Sequence, residues 1–279
     1  LSRRQRQMCI RDSLYIMGIC RVADKACCGR NAFEKTDIYF MNLIVDIGNS
    51  TVKVAVMNDN AIVMHRRLGN EPTDGLAMIV EDFDIDACAY SSVGKPLPNL
   101  EAAIRHLIPN TLKVTGLTPT PLLCDYRTPE TLGADRLAVA VGAAACVPGK
   151  PLLVVDAGTC VTYEYVSADG HYLGGNISPG LGIRLRSLHE QTALLPLVGN
   201  DERVPTIGYD TPSAIRAGVI RGMNYEIEGC IRDFKRHEPD GVVFITGGNG
   251  FRFANEMEVE RNESLVEIGL NAILNYNCL

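Results

Sequence analysis

No apolar run in the 279-residue sequence approaches the roughly 18 to 20 residues that a bilayer crossing needs. Nor does any pair of its ten cysteines stand at metal-ligand spacing with a second cysteine pair or a histidine pair downstream. Four of the ten (Cys9, Cys20, Cys27 and Cys28) lie in the first thirty residues. Cys88, Cys124, Cys146, Cys160 and Cys230 mostly sit in or beside apolar stretches, so they read as reduced core thiols and point to the cytoplasm. A basic surplus is also missing. Net charge is −6, and the first forty residues hold eight Lys or Arg against four Asp or Glu, which leaves −10 on the remainder. An acidic body argues against a nucleic-acid or anionic-membrane partner. Local cations then serve a local anion. What is present is an ordinary globular composition, 46% hydrophobic and 22% charged, long enough for two domains.

The chain is organised around Asp46-Ile47-Gly48-Asn49-Ser50-Thr51-Val52-Lys53, which interrupts two apolar runs. Glycine lets backbone approach a phosphate, neighbouring N–H groups and hydroxyls can bond phosphate oxygens, and an acid at a strand end can hold a metal-bound water. An Asp-x-Gly-Asn turn also suits an ordinary hairpin. The pattern repeats, however: Asp156-Ala157-Gly158-Thr159 stands between two further apolar runs, 110 positions after Asp46. Two such turns facing each other across a cleft could grip one polyphosphate from both sides.

Residues 1–40 share neither period nor composition with the rest and read as a non-native or disordered extension, resembling translated adapter sequence, with Met41 as the native start. Strands are expected at 42–46, 52–57 and 62–68 as an antiparallel meander, then a helix at 75–83, a strand at 87–93, a helix at 98–108 and a short strand near Val114. Gly133-Ala134-Asp135-Arg136 leads into a helix at 137–145, where an acid and a cation also suit a helix entry for purely local reasons. The prolines and glycine of 147–151 mark a boundary between domains 41–147 and 148–279. The second half replays the first, with strands at 152–155, 161–166 and from Tyr172. A glycine-rich segment, 174–180, is expected to open a helix at 181–190. After a polar loop at 200–212 come a helix at 213–234, a strand at 242–245 running into Thr246-Gly247-Gly248-Asn249-Gly250, a short strand near 265–266 and a helix at 268–276. This strand and helix alternation indicates an α/β protein.

In this order, Asp-x-Gly-Asn-Ser-x-x-Lys, Gly-Ala-Asp-Arg, Asp-x-Gly-Thr, Gly-Gly-x-Ile-x-Pro-Gly and Thr-Gly-Gly-x-Gly resemble the type III pantothenate kinases of the acetate kinase, sugar kinase, Hsp70 and actin superfamily. The resemblance runs from Met41 to the C-terminus. It implies two tandem ribonuclease H-like domains, the duplicated actin-like ATPase fold, with a cleft between them. It also implies ATP-dependent phosphorylation of pantothenate to 4'-phosphopantothenate, the first step of coenzyme A biosynthesis, in a cytoplasmic homodimer whose subunits together shape the acceptor pocket. By the same resemblance, Asp46, Ile47, Gly48, Asn49, Ser50, Thr51, Val52 and Lys53 form the first phosphate loop. Within it Asp46 lies near magnesium and Lys53 counters phosphate charge. Thr159 contacts phosphate from the second loop, Asp156 binds a monovalent cation (potassium or ammonium), and Gly247 and Gly248 border the adenine. Asp135 is the general base. Tyr126, Gly133, Ala134, Arg136 and Thr192 hold pantothenate, with Arg136 meeting its carboxylate through paired hydrogen bonds. Ser50 stands where the family most often has Thr, and the hydroxyl is kept.

Two other readings stand beside the kinase. A sugar or acetate-like acceptor would keep the fold, but Gly133 to Arg136, Tyr126 and Thr192 match the pantothenate family. A nucleotide-binding regulator without catalysis would be expected to have lost at least one of Asp46, Asp135 and Asp156, and all three are present.

Overall fold

Two sheets with the same strand order make up the fold in this computed structural model, which describes residues 41–69, 71–200, 204–248 and 257–277. The expectations for residues 1–40 and for Asn249 and Gly250 lie outside the described residues. The first sheet holds β1 (Met41–Ile47), β2 (Val52–Asn58), β3 (Ala61–Leu68), β4 (Ile85–Ser92) and β5 (Thr111–Lys113) in the order β3-β2-β1-β4-β5. Its first three strands are antiparallel, while β4 and β5 add in parallel. In the second sheet β7 (Leu152–Ala157), β8 (Cys160–Val166), β9 (His171–Pro179), β10 (Val242–Thr246) and β11 (Glu260–Arg261) follow the same order, β9-β8-β7-β10-β11. Directions match as well, antiparallel for β7-β8-β9 and parallel for β10 and β11. The duplication read from the two glycine turns is thus a duplication of topology. One further strand, β6 (Leu123–Cys124), pairs in parallel with β9.

Six α-helices are found among the described residues: α1 (Pro72–Asp82), α2 (Pro98–Leu107), α3 (Ala134–Cys146), α4 (Leu181–Glu190), α5 (Thr211–His237) and α6 (Leu265–Tyr276). Proline at the first turn of α1 and α2 costs no hydrogen bond there and presets φ. A capping box between Asp210 and Ser213 starts α5, and Lys235, Arg236 and His237 close it where the macrodipole favours cations. Among the described residues no helix is long and apolar enough to cross a membrane.

Strand parity decides which helices each sheet buries. Leu43, Val45 and Ile47 turn to one face of the first sheet, where they pack with Leu76 and Ile79 of α1 and Leu100 and Ile104 of α2. Ile44 turns to the other face, in one core with Leu137 and Val141 of α3, Leu270 and Leu274 of α6, and Leu152 and Val154 of β7. Leu153 and Val155 face away from that core, towards Leu181 and Leu185 of α4 and Ile227 and Ile231 of α5. The helices α3 and α6 therefore form a middle layer shared by both sheets. They touch backbone to backbone: a Cβ on Gly142 would lie 2.0 Å from the Leu265 carbonyl oxygen, and one on Gly269 would lie 1.8 Å from that of Ala138.

Several expected boundaries move. The short strand placed near 265–266 is the first turn of α6, and the strand of that region is β11. Residues 174–179 lie within β9, and only Gly180, the residue before α4, opens a helix. Gly175 suits a strand because a Cβ there would strike the Tyr163 carbonyl oxygen of β8 at 1.7 Å. The helix expected from Leu137 starts at Ala134, which brings Asp135 and Arg136 into its first turn. Of the five described cysteines, all free, only Cys88 is buried; Cys124 on the two-residue strand β6 and Cys146 in the last turn of α3 are exposed, so they are not core residues.

Candidate active site

The parity that buries Ile44 between the sheets turns Asp46, two residues on, to the same side at the end of β1. Leu152, Val154 and Asp156 repeat this on β7. Both acids reach one cleft of about 640 Å³, which is also lined by the two glycine turns, by Asp135, and by Gly247 and Gly248. The turns meet there, with Ser50 Oγ and Thr159 Oγ1 3.4 Å apart.

Each turn is backed by a glycine at the end of the next parallel strand. A Cβ on Gly94, just past β4, would lie 2.4 Å from the Gly48 carbonyl oxygen. Gly247, just past β10, has φ +93°, and a Cβ there would come 2.5 Å from the Ala157 carbonyl oxygen and 2.6 Å from Asp156 Oδ1. Side chains at either place would push the turns out of position.

Cross-strand rows continue from the two acids. On the first sheet Asp46 pairs with Lys53, and Lys53 with Arg67, so an acid and two cations stand side by side. On the second sheet the corresponding row is Asp156, Thr162 and Ile177. All six line the cleft. The first sheet thus gives the cleft a cationic wall, Lys53 and Arg67 with His65 beside them, the latter two not singled out in the sequence; Arg136 and Arg186 also line the cleft.

The three acids are held in a poorly solvated space. Burial pushes the Asp46 carboxyl up to about 6 against the opposing hydrogen bond from Ser91 (Oγ to Oδ1, 2.8 Å), and the charge of Glu267 adds to the rise. Burial also pushes Asp156 up to about 6, reinforced by the charge of Asp135. Asp135 is itself raised by burial, although its Oδ1 accepts the Arg136 N–H at 2.8 Å and it sits at the N-terminus of α3. Gly133 leaves room for this carboxylate, since a Cβ there would come 2.5 Å from Asp135 Oδ1. Carboxyls so arranged attract cations. Among the described residues no three His, Cys, Asp or Glu side chains are grouped as a metal site. Magnesium fits nonetheless, because it is commonly held by one or two carboxylates with the remaining ligands from phosphate and water.

Other expected site residues lie elsewhere. Ile47 and Val52 flank the first turn, but their side chains are in the core behind it. Tyr126 packs on Tyr172 at 6.3 Å between centroids, under the Arg136 guanidinium at 5.6 Å. Ala134 is buried in the middle-layer core. Thr192 is exposed, its hydroxyl donating to the Leu188 carbonyl oxygen at 2.6 Å, and it does not line the cleft. Arg136 lines the cleft, yet its fork is spent elsewhere. Nε and Nη2 donate to the two oxygens of fully buried Glu164 at 2.7 and 2.8 Å, and Tyr172 Oη donates to the same carboxylate at 2.6 Å. These bonds satisfy Glu164, which would otherwise be a buried, unpaired charge, and they occupy the Nε/Nη2 edge of Arg136.

A family model of type III pantothenate kinases matches residues 42–233. The chain is 44% identical over 239 residues to a type III pantothenate kinase of Bacteroides fragilis, covering 85% of this chain and 98% of that protein. A Porphyromonas gingivalis type III pantothenate kinase is 43% identical over 241 residues, covering 85% and 98%. Among solved structures, a Campylobacter jejuni protein described as a proposed Baf family transcriptional activator has the same fold, with TM-score 0.55 at 21% identity and coverage of 85% and 98%. With the family's motifs gathered in one cleft and curated relatives matched over nearly their whole length, the chain belongs to the type III pantothenate kinase family.

Proposed function

We infer that this cleft phosphorylates pantothenate with ATP, as the name of the family states, giving 4'-phosphopantothenate at the entry to coenzyme A biosynthesis. The observation that carries this reading is the meeting of Ser50 and Thr159, with Asp135 opening on the same cleft. Asp135 takes the proton of the acceptor hydroxyl as its oxygen attacks the γ-phosphorus, and the bond to the β-phosphate oxygen breaks to release ADP. Such a transfer asks the protein chiefly to position groups and counter charge. Backbone N–H groups of the two turns and the Ser50 and Thr159 hydroxyls take phosphate oxygens, and Lys53 stands by for the charge. Gly247 and Gly248 border the adenine. Asp46 would hold magnesium and Asp156 a monovalent cation, each neutralising charge on the phosphates. Raised by burial, Asp135 is a better proton acceptor than an ordinary surface aspartate.

Tyr126, Gly133, Ala134, Arg136 and Thr192 remain the proposed acceptor contacts. Because Thr192 does not line its own chain's cleft, a homodimer that brings this residue to a shared acceptor pocket agrees with the arrangement, and light scattering would read its mass. Residues 41–147 and 148–279 form the two lobes, and the cytoplasm is the compartment for a chain with free cysteines.

The test is ADP release by the 41–279 protein with ATP, magnesium and pantothenate, with and without potassium, beside D135N. Pantothenate-dependent turnover that needs potassium and falls by about 100-fold or more in D135N is the expected result. Bound ATP without pantothenate-dependent ADP in any salt would instead favour another acceptor or a nucleotide-binding regulator.

A further inference from the structure

One buried acid takes no part in the roles above. Glu267, in the first turn of α6, is fully buried. Its Oε1 lies 3.1 Å from His65 Nε2 and 4.0 Å from Lys53 Nζ, while its Oε2 has no hydrogen-bond partner among the described residues. Val266, Ile268 and Leu270 around it are apolar, and a helix that needed only to fill this layer would be more stable with an apolar residue at 267. An acid in a first turn also complements the macrodipole, but an exposed one does so without the expense of burial. The charge therefore has another use, and the residues it touches say which: both belong to the cationic wall of the cleft.

The helix that carries Glu267 is fixed along the first sheet by a polar ladder. Asn271 and Asn275 follow at intervals of four, on the same helix face. Asn42 Nδ2 donates to Asn271 Oδ1 at 2.8 Å and to Asn275 Oδ1 at 3.0 Å, and Asn271 Nδ2 donates to the Asp59 carbonyl oxygen at 2.8 Å. These bonds, the one between Asn42 and Asn271 buried, hold the helix in one register on β1 and the β2–β3 turn. The Glu267 carboxylate is thereby set at one point beside the row Asp46, Lys53 and Arg67.

We propose that Glu267 is the positioning residue for Lys53: through this carboxylate the C-terminal helix sets where the Lys53 ammonium stands when a polyphosphate arrives. Lys53 has a flexible four-carbon stem, and without an anchor it would spend its charge over many rotamers. An anion at 4.0 Å narrows that range while leaving the ammonium protons free to turn to phosphate. His65 shares the same oxygen and keeps the carboxylate partnered when Lys53 leans away. The proposal rests on the nucleotide reading of the cleft.

Equilibrium binding of ATP with magnesium, together with the KM for ATP, is measured for the wild type, E267Q, K53M and the double variant. ATP binding by the wild type tests the nucleotide reading by itself. Glutamine keeps the shape and removes the charge, so E267Q is expected to weaken ATP by about tenfold with the KM for pantothenate little changed. In the K53M background the same substitution is expected to cost nothing further, because the residue it positions is gone. Equal losses in the two backgrounds would overturn the proposal, as would an E267Q protein that melts earlier yet binds ATP as the wild type does. If E267Q fails to fold, E267D carries the same cycle, since it keeps the charge and draws it back by one methylene.

Discussion

Ser50 and Thr159, 109 residues apart in the chain, hold their hydroxyl oxygens 3.4 Å from each other at the join of the two glycine turns. Both side chains are exposed, so the pair contributes little to folding. A polyphosphate between the turns would replace this contact with one hydrogen bond from each side. S50A and T159V should each raise the KM for ATP by about 3- to 10-fold, the worth of roughly one hydrogen bond. Melting temperatures should stay within about 2 °C of the wild type. Steady-state kinetics over an ATP series measure the first effect and calorimetry the second; an unchanged KM in both variants would remove the turns from phosphate binding.

The buried acids make a prediction about pH. Burial pushes the Asp46 and Asp156 carboxyls up to about 6 in the folded chain, from the ordinary 3.8 of the unfolded one. Between those values the folded state holds protons that the unfolded state has released, so stability falls as pH rises from about 4 to about 6 and stays lower above. Each group accounts for on the order of 3 kcal/mol. In the role proposed for Asp46 it is the ionised carboxylate that would take magnesium, so magnesium should raise the melting temperature by several degrees at pH 7.5 and hardly at all at pH 5. Scanning fluorimetry at the two pH values decides it, and equal shifts would contradict the burial argument.

Glu164 is the partner that keeps Arg136 tolerable inside the protein. E164Q leaves a buried guanidinium without its counter-charge and should destabilise the chain by about 3–5 kcal/mol. Replacing both residues by apolar ones of similar size should recover much of that loss. Urea unfolding of the single and double variants measures the coupling, and a loss below about 1 kcal/mol in E164Q would mean that the pair is not buried as described.

The crossing of α3 and α6 separates glycines that pack from glycines that do not. G142A and G269A place a Cβ against backbone carbonyl oxygens and should each cost about 1–3 kcal/mol. On α5 a Cβ at Gly222 meets nothing within 4 Å, so G222A should stabilise the helix by about 0.5–1 kcal/mol. Melting curves of the three variants should move in opposite directions.

The two halves of the fold were legible because strand, acid, glycine and hydroxyl recur in order, and that recurrence is local in sequence. The rows that extend from the acids were not. Counting back from the Asn58 to Ala61 turn places Arg66 opposite Lys53, but an irregularity in the pairing near Val56 and Met57 shifts the register and brings Arg67 there instead. Glu164 and Glu267 were missed for a related reason: each lies in an apolar element, and only the other elements packed around it make its charge bearable. The strands β6 and β11 are two residues long, with both residues exposed, and so carry no apolar pattern to read. Thr246-Gly247-Gly248, by contrast, was readable, since an apolar strand running into paired glycines signals close backbone approach.

The middle layer also bears on how the protein is made. The inner face of β1 is covered by α6, and the bond between Asn42 and Asn271 spans 229 positions. A ribosome adding 5–20 residues each second takes on the order of 10 to 50 s to travel that far. For most of that interval Ile44, Ala55 and Met57 are already made while the helix that packs on them is not. The first sheet is thus an early product with one greasy side open. A chaperone that shields such surfaces has its natural window there, and a pause in translation ahead of codon 265 would lengthen it.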